Sequence, residues 1–349
     1  MELTKYINMK KITFFILLLC VFTNCTKDSY ETPTPTYYDF YYPSDKATIT
    51  AKQIGDGTGA LDPSGIAVAN DKLYICNGDA LEIFNSKTLA YIKTIKNYTK
   101  GTTTIALTKL SSVCIDNGRI YVGSINSRIF IFDEVTNLGI NTMGSGNWWD
   151  TFVHVFGITI KDGLLFVKEK ETTIKVFETS KITDTSNWNL APFAKLNTLK
   201  GWEEFYSLGV VSGNLVVAGR DTKSYLYYNI DDIRKNAASS LTTPLAPTTT
   251  TPNPNANPIA VSFGTDWAIT TESFASANYI RLYPKEEFGT KTYNAKLNFT
   301  DVMGANPFGS IVSVAQADDI LFLSDNTNKC IRVVKLNKSQ IGEQNPIKK

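Results

Sequence analysis

Histidine is nearly missing from this chain of 349 residues: His154 is its single imidazole. A metal held by two or three histidines of one chain is thereby excluded, and with it most zinc hydrolases. Arginine is scarce at six residues, and no Ser-x-Asp-x-Gly-x-Thr-Trp box accompanies it, which argues against a sialidase. Charge of one sign is lacking too. Lys+Arg 35 against Asp+Glu 33 leaves +2, too little for the broad basic surface that binds nucleic acid. No Gly-x-Ser-x-Gly elbow, nucleotide-binding glycine loop, Asp-x-Asp-x-Asp-Gly loop or Cys-x-x-Cys pair occurs. Past residue 25 the cysteines are Cys76, Cys114 and Cys330, each in a β-rich run and read as small buried residues. A Cys76–Cys114 bridge is the alternative in an oxidising compartment. What is plentiful is core material, 43% hydrophobic and 12% aromatic, enough for one large domain or two ordinary ones.

The longest apolar run lies at the start. Residues 9–25 read MKKITFFILLLCVFTNC, two lysines, an apolar stretch and a cysteine, the pattern of a bacterial export signal. That stretch is about half the ~20 residues a membrane-spanning helix needs, and no second one follows. Phe22-Thr23-Asn24-Cys25 resembles a lipoprotein signal-peptidase box, which implies lipidation of Cys25; plain secretion is the alternative. Acyl chains contribute about 0.8 kcal/mol per buried methylene, so the protein would be anchored to a membrane without crossing it. Loss of residues 1–24 leaves 32 basic and 32 acidic residues. Residues 25–46, with Pro33 and Pro35, read as a flexible tether, unless Tyr37, Tyr38, Tyr41 and Tyr42 pack on the domain.

One phrase then recurs six times: a small residue, a β-rich run, a turn, a second run, a polar gap and a third run ending in aromatics. Its ends fall at Phe84, Phe132, Phe177, Tyr228, Tyr283 and Val334, spaced by 48, 45, 51, 55 and 51 residues. Short strands at such a period predict propeller blades, each an antiparallel four-stranded sheet. Asn70-Asp71, Asn117-Gly118, Asp162-Gly163 and Ser212-Gly213 carry the residues that tight hairpins favour. The sixth phrase lacks an outer strand, and residues 47–54 (ATITAKQI) form an orphan run able to supply it. The expected fold is all-β: a six-bladed propeller over residues 47–340, its N-terminal strand closing the last blade, followed by a tail at 341–349. The pattern resembles propellers of the NHL and YVTN kind. A seventh blade within residues 241–258 is the alternative, though that Pro-rich segment reads as a loop.

In a propeller, the loops entering each inner strand and those joining second to third strands gather on one face. The entering loops offer Tyr98, Trp148, Trp149, Trp202, Phe205, Tyr206 and Phe308; the others offer Asp79, Asn126, Lys168, Lys170, Arg220, Lys223, Glu272, Phe274 and Asp325. Aromatic faces beside cations suit a planar or anionic small molecule. The expected binding residues are Tyr98, Trp148, Trp149, Lys168, Lys170, Trp202, Tyr206, Arg220, Lys223, Phe274 and Phe308. No catalytic residue, metal ligand or cofactor is expected. His154 reads as packed or hydrogen-bonded. Anchor, tether and ring together resemble surface lipoproteins that serve TonB-dependent outer-membrane transporters. The resemblance implies capture of a ferric siderophore or, next, a corrinoid, and transfer to the transporter. An envelope protein-interaction scaffold, or a carbohydrate-active hydrolase or lyase using acids such as Glu169, Glu171, Glu203, Glu204 or Glu272, are the alternatives.

Overall fold

The computed structural model describes residues 37–342 except 56, 148–150, 171, 199–206, 221, 253–256, 265, 275–276, 286–287, 289–296 and 301–306. Tyr41–Lys338 form one compact unit, which carries all six blades. Residues 37–40 and 339–342 are strand-forming ends of a second unit.

Each blade is an antiparallel sheet of four strands, taken here from the inside outward. Blade 1 holds Pro63–Ala69, Lys72–Asn77, Ala80–Asn85 and Tyr91–Ile95. Blade 2 holds Leu110–Asp116, Arg119–Ser124, Arg128–Asp133 and Gly139–Met143. Blade 3 holds Val155–Lys161, Leu164–Glu169, Thr173–Glu178 and Ala194–Asn197. Blade 4 holds Leu208–Val211, Asn214–Gly219, Ser224–Asn229 and Thr249–Pro252. Blade 5 holds Asn257–Phe263, Trp267–Phe274, Ala277–Pro284 and Leu297–Phe299. Blade 6 holds Ile311–Ala317, Ile320–Asp325 and Cys330–Gly342, completed on the outside by Tyr37–Ile49. Successive inner strands lie side by side, and that of blade 6 meets that of blade 1. The chain is a six-bladed β-propeller.

The local chemistry explains these elements. Second strands are almost wholly apolar, as in Leu73 to Cys76 and Leu164 to Val167, because both of their faces meet a neighbouring blade. All four hairpin turns read from the sequence place both central residues in the left-handed region, from φ 46° at Ser212 to 75° at Gly163, as a two-residue hairpin requires.

Two details depart from the pattern. The closing strand begins at Tyr37, earlier than the orphan run at 47, because the aromatic-rich segment Tyr37 to Tyr42, which favours extended backbone, joins the strand upstream. The segment after blade 4's third strand contains two short helices, Ile230–Lys235 and Ala237–Ser240, and then that blade's own outer strand, Thr249–Pro252. Asn229 caps the first helix by accepting the Asp232 N–H at 3.0 Å. Cys76, Cys114 and Cys330 are all free thiols. Burial pushes Cys76 and Cys114 well above the usual thiol range. Among the described residues no helix is long and apolar enough to cross a membrane.

Candidate functional site

Five inner strands begin with a β-bulge, and a polar side chain stands opposite each bulge at or near the end of the second strand: Asn77, Ser124, Glu169, Glu272 and Asp325. Four of them fasten the incoming loop. Asn77 accepts the Asp62 N–H at 2.7 Å, Ser124 donates to the Thr108 carbonyl at 2.5 Å, Glu169 accepts the Val153 N–H at 2.8 Å and Asp325 that of Gly309 at 3.0 Å. The three acids are fully buried. Each faces a cation from its own blade's third strand: Lys175 at 2.8 Å, Arg281 at 2.8 Å and Arg332 at 3.7 Å. These polar groups therefore shape the front face, where loops enter the inner strands, without standing open on it.

All six inner strands line an axial channel of about 310 Å³. Ile66, Val113, Ile158, Leu208, Val261 and Val314 lie along it, each with its side chain buried in a core between blades. Such a volume lies at the lower end of the ~300–1,000 Å³ range of ligand pockets.

On the front face between blades 2 and 3 lies a hollow of about 400 Å³, lined by Ile125, Asn126, Ser127, Gly146, Asn147 and His154. Its walls are built locally. Asn126 reaches back to Thr108 Oγ1 at 2.9 Å, and Arg128 donates to the carbonyls of Gly144 and Ser145, pinning the far rim. Gly144 has φ 79°, and a Cβ there would lie 2.2 Å from the Ser127 carbonyl oxygen, so only glycine lets this rim close. Burial lowers the Arg128 guanidinium from its usual range. Lys170 adjoins the hollow: its backbone N–H donates to the carbonyls of Val153, at 2.8 Å, and His154, at 3.1 Å. Arg220 and Lys223, both exposed, lie in the corresponding turn of the next blade.

The other expected binding residues fall elsewhere. Lys168 is fully buried, and its ammonium donates to the Glu169 carbonyl. It occupies in blade 3 the register place that Thr271 holds in blade 5. Thr271 bonds the next blade, so that position faces a blade interface and not the axis. Tyr98 lies on the two-stranded hairpin Asn97–Lys100 and Thr103–Ala106. The hairpin folds against blade 2, and the buried ring lies tilted to Phe130 at 6.0 Å and edge-on to Phe132 at 5.7 Å. Phe308 is buried against Phe299 at 5.8 Å. Trp148, Trp149, Trp202, Phe205, Tyr206, Glu171, Glu203, Glu204 and Cys25 lie outside the described residues, as does the side chain of Phe274. Sequence reasoning overlooked Ser127, Gly146, Asn147 and Arg128. The paired glycines of Gly144-Ser145-Gly146-Asn147 were the available signal. Among the described residues no cluster of three or more His, Cys, Asp or Glu could hold a metal.

No family model and no curated protein matches this chain. Among solved structures, Raptor of Chaetomium thermophilum is similar over 86% of this chain, with TM-score 0.50 and 11% identity. The match spans 29% of Raptor's length, and the shared feature is the fold. The computationally designed Ika8 protein aligns over 79% of this chain and 97% of its own, with TM-score 0.45 and 9% identity.

Proposed function

We propose that this chain is a lipid-anchored surface protein that captures a bulky metal chelate, a ferric siderophore or a corrinoid, without transforming it. An outer-membrane TonB-dependent transporter would receive the ligand, and membrane attachment would rest on Cys25 alone. One observation carries the reading: a preformed front-face hollow stands beside Lys170 and one blade from the exposed Arg220 and Lys223. The exposed Arg220 and Lys223, with the half-buried Lys170, give this part of the face a positive charge that attracts an anionic ligand. The channel, at about 310 Å³, is too small for a bulky chelate, so such a ligand lies across the face with one edge in the hollow. Glu169 and Glu272, buried and cation-paired, are poorly placed to act on a glycan. With Lys168 facing a blade interface, the cationic support for a siderophore rests on three residues in place of four.

Calorimetric titration with a ferric trihydroxamate and with a corrinoid tests this. Saturable heat is expected from at least one, and Arg220→Glu with Lys223→Glu should weaken an anionic ligand by about tenfold or more. Silence with both would end the proposal. A scaffold reading draws on Val135 and Leu138, 85% and 58% exposed on the turn between third and outer strands of blade 2. It gains if a protein partner is lost on Val135→Asp while small-ligand binding stays unchanged.

A further inference from the structure

His154 is held more tightly than packing alone requires. Its backbone is left-handed at φ 52°, and its N–H donates to Ser127 Oγ at 3.2 Å. Its ring Nδ1 lies 2.5 Å from the Ile125 carbonyl oxygen. A carbonyl can only accept, so Nδ1 carries a proton, and in the neutral ring the lone pair is on Nε2, away from that carbonyl. A backbone carbonyl behind one nitrogen is also how proteins orient an imidazole whose other nitrogen binds a metal. The ring is half-buried in the wall of the 400 Å³ hollow.

One nitrogen donor does not hold a free ion against water, because protein sites that retain one supply three or four ligands. No such group exists among the described residues. A metal that binds His154 must therefore arrive with its other ligands in place.

We infer that His154 Nε2 is an axial ligand for a chelated metal that reaches the hollow with one exchangeable coordination position. This rests on the capture reading and narrows it: a chelate whose donors already fill the metal's sphere gains nothing from His154, whereas a four-donor macrocycle carrying axial water does. In the step, the metal–water bond breaks and a metal–Nε2 bond forms with both electrons from nitrogen. Water leaves, no proton moves and the oxidation state is unchanged.

The test titrates the full chain with diaquacobinamide, whose cobalt holds exchangeable waters, and with dicyanocobinamide, the same macrocycle with both positions blocked. The aqua form should bind more than about tenfold tighter, and its visible absorption should move to that of an imidazole-ligated cobalt. His154→Asn keeps a residue tolerant of left-handed backbone and should lose both the spectral change and the preference. Equal binding of the two forms overturns axial ligation while leaving capture intact, as does a spectral change that persists in His154→Asn. If both macrocycles and a ferric trihydroxamate all fail to bind, capture itself falls and the inference with it.

Discussion

Glu272 has no exposure of its own: it accepts the Tyr225 hydroxyl at 2.7 Å and faces Arg281 at 2.8 Å. Burial, followed by the charge of Glu272, pushes Tyr283 up to about 12 in the same cluster. Removing the cation would leave an uncompensated carboxylate in the interior, so Arg281→Met should cost about 3–5 kcal/mol in urea unfolding. Glu272→Gln should cost less, since the amide still accepts from Tyr225 and the Arg281 side chain keeps 20% exposure to water. Glu134 illustrates the acid side. Burial pushes its carboxyl up, but hydrogen bonds from Asn70 and Tyr74 and the charge of Lys72 outweigh this and hold it below the usual range. A lowered native pKa gives stability that is fully present above the unfolded value of about 4.3 and is lost as pH falls through the native one. Glu134→Gln should therefore flatten the acid limb of stability against pH, measured by denaturant midpoints from neutral to acidic pH. Little of this was legible beforehand. Lys168 in KEKE reads as a solvated turn, yet its strand extends to Glu169 and buries both faces. His154 stood out by rarity, whereas its fixed tautomer depends on Ile125, which the chain brings near only by folding.

Between blades, small hydroxyl side chains from several positions act as clasps. Ser64 donates to the Leu110 carbonyl at 2.8 Å, Ser111 to Val155 at 2.6 Å and Thr271 to Ile311 at 3.0 Å. Ser313 accepts the Ile66 N–H at 3.2 Å. Ser207 does both for Val261, donating to its carbonyl at 2.7 Å and accepting its N–H at 3.1 Å. Each such bond satisfies a backbone group that the inner strand leaves unpaired by its own sheet. Ser207→Ala strands two polar groups at once and should lower stability by about 1–3 kcal/mol, read as a shift in urea midpoint at constant slope. Close approach matters as much as bonding. A Cβ on Gly65 would sit 2.4 Å from Ser112 Cα and 2.5 Å from the Ser111 carbonyl oxygen, both backbone atoms of the next blade. Gly65→Ala should thus force blades 1 and 2 apart and destabilise more than Ser207→Ala. The small residue heading each phrase was visible in the sequence. Its purpose was not, because the atom it touches lies a whole repeat away, and no local period reports a contact at that separation.

At the scale of the ring, stability depends on joining the two ends. Ile49, 1% exposed, packs in one cluster with Ile331 and Val333 of blade 6 and with Leu73 and Phe84 of blade 1. The closing strand thereby belongs to two blades at once. Asn337 Nδ2 donates to Ser44 Oγ at 2.8 Å, and the Tyr41 ring meets Trp267 of blade 5 edge-on at 4.7 Å. A chain starting at residue 61 would keep every strand of blades 1 to 5 but leave the third strand of blade 6 as an open edge with unpaired backbone groups, the kind that recruits other chains. It should melt well below a chain starting at residue 41 and elute as an assembly on gel filtration. A synthetic peptide of residues 41–60 added in trans should restore both the monomer and the melting point, since what is lost is pairing and burial and not information needed elsewhere in the ring. Equal melting of the two truncated chains would mean that the inner-strand clasps alone hold the circle. In that case the hollow between blades 2 and 3, which lies far along the chain from the seam, would form independently of closure.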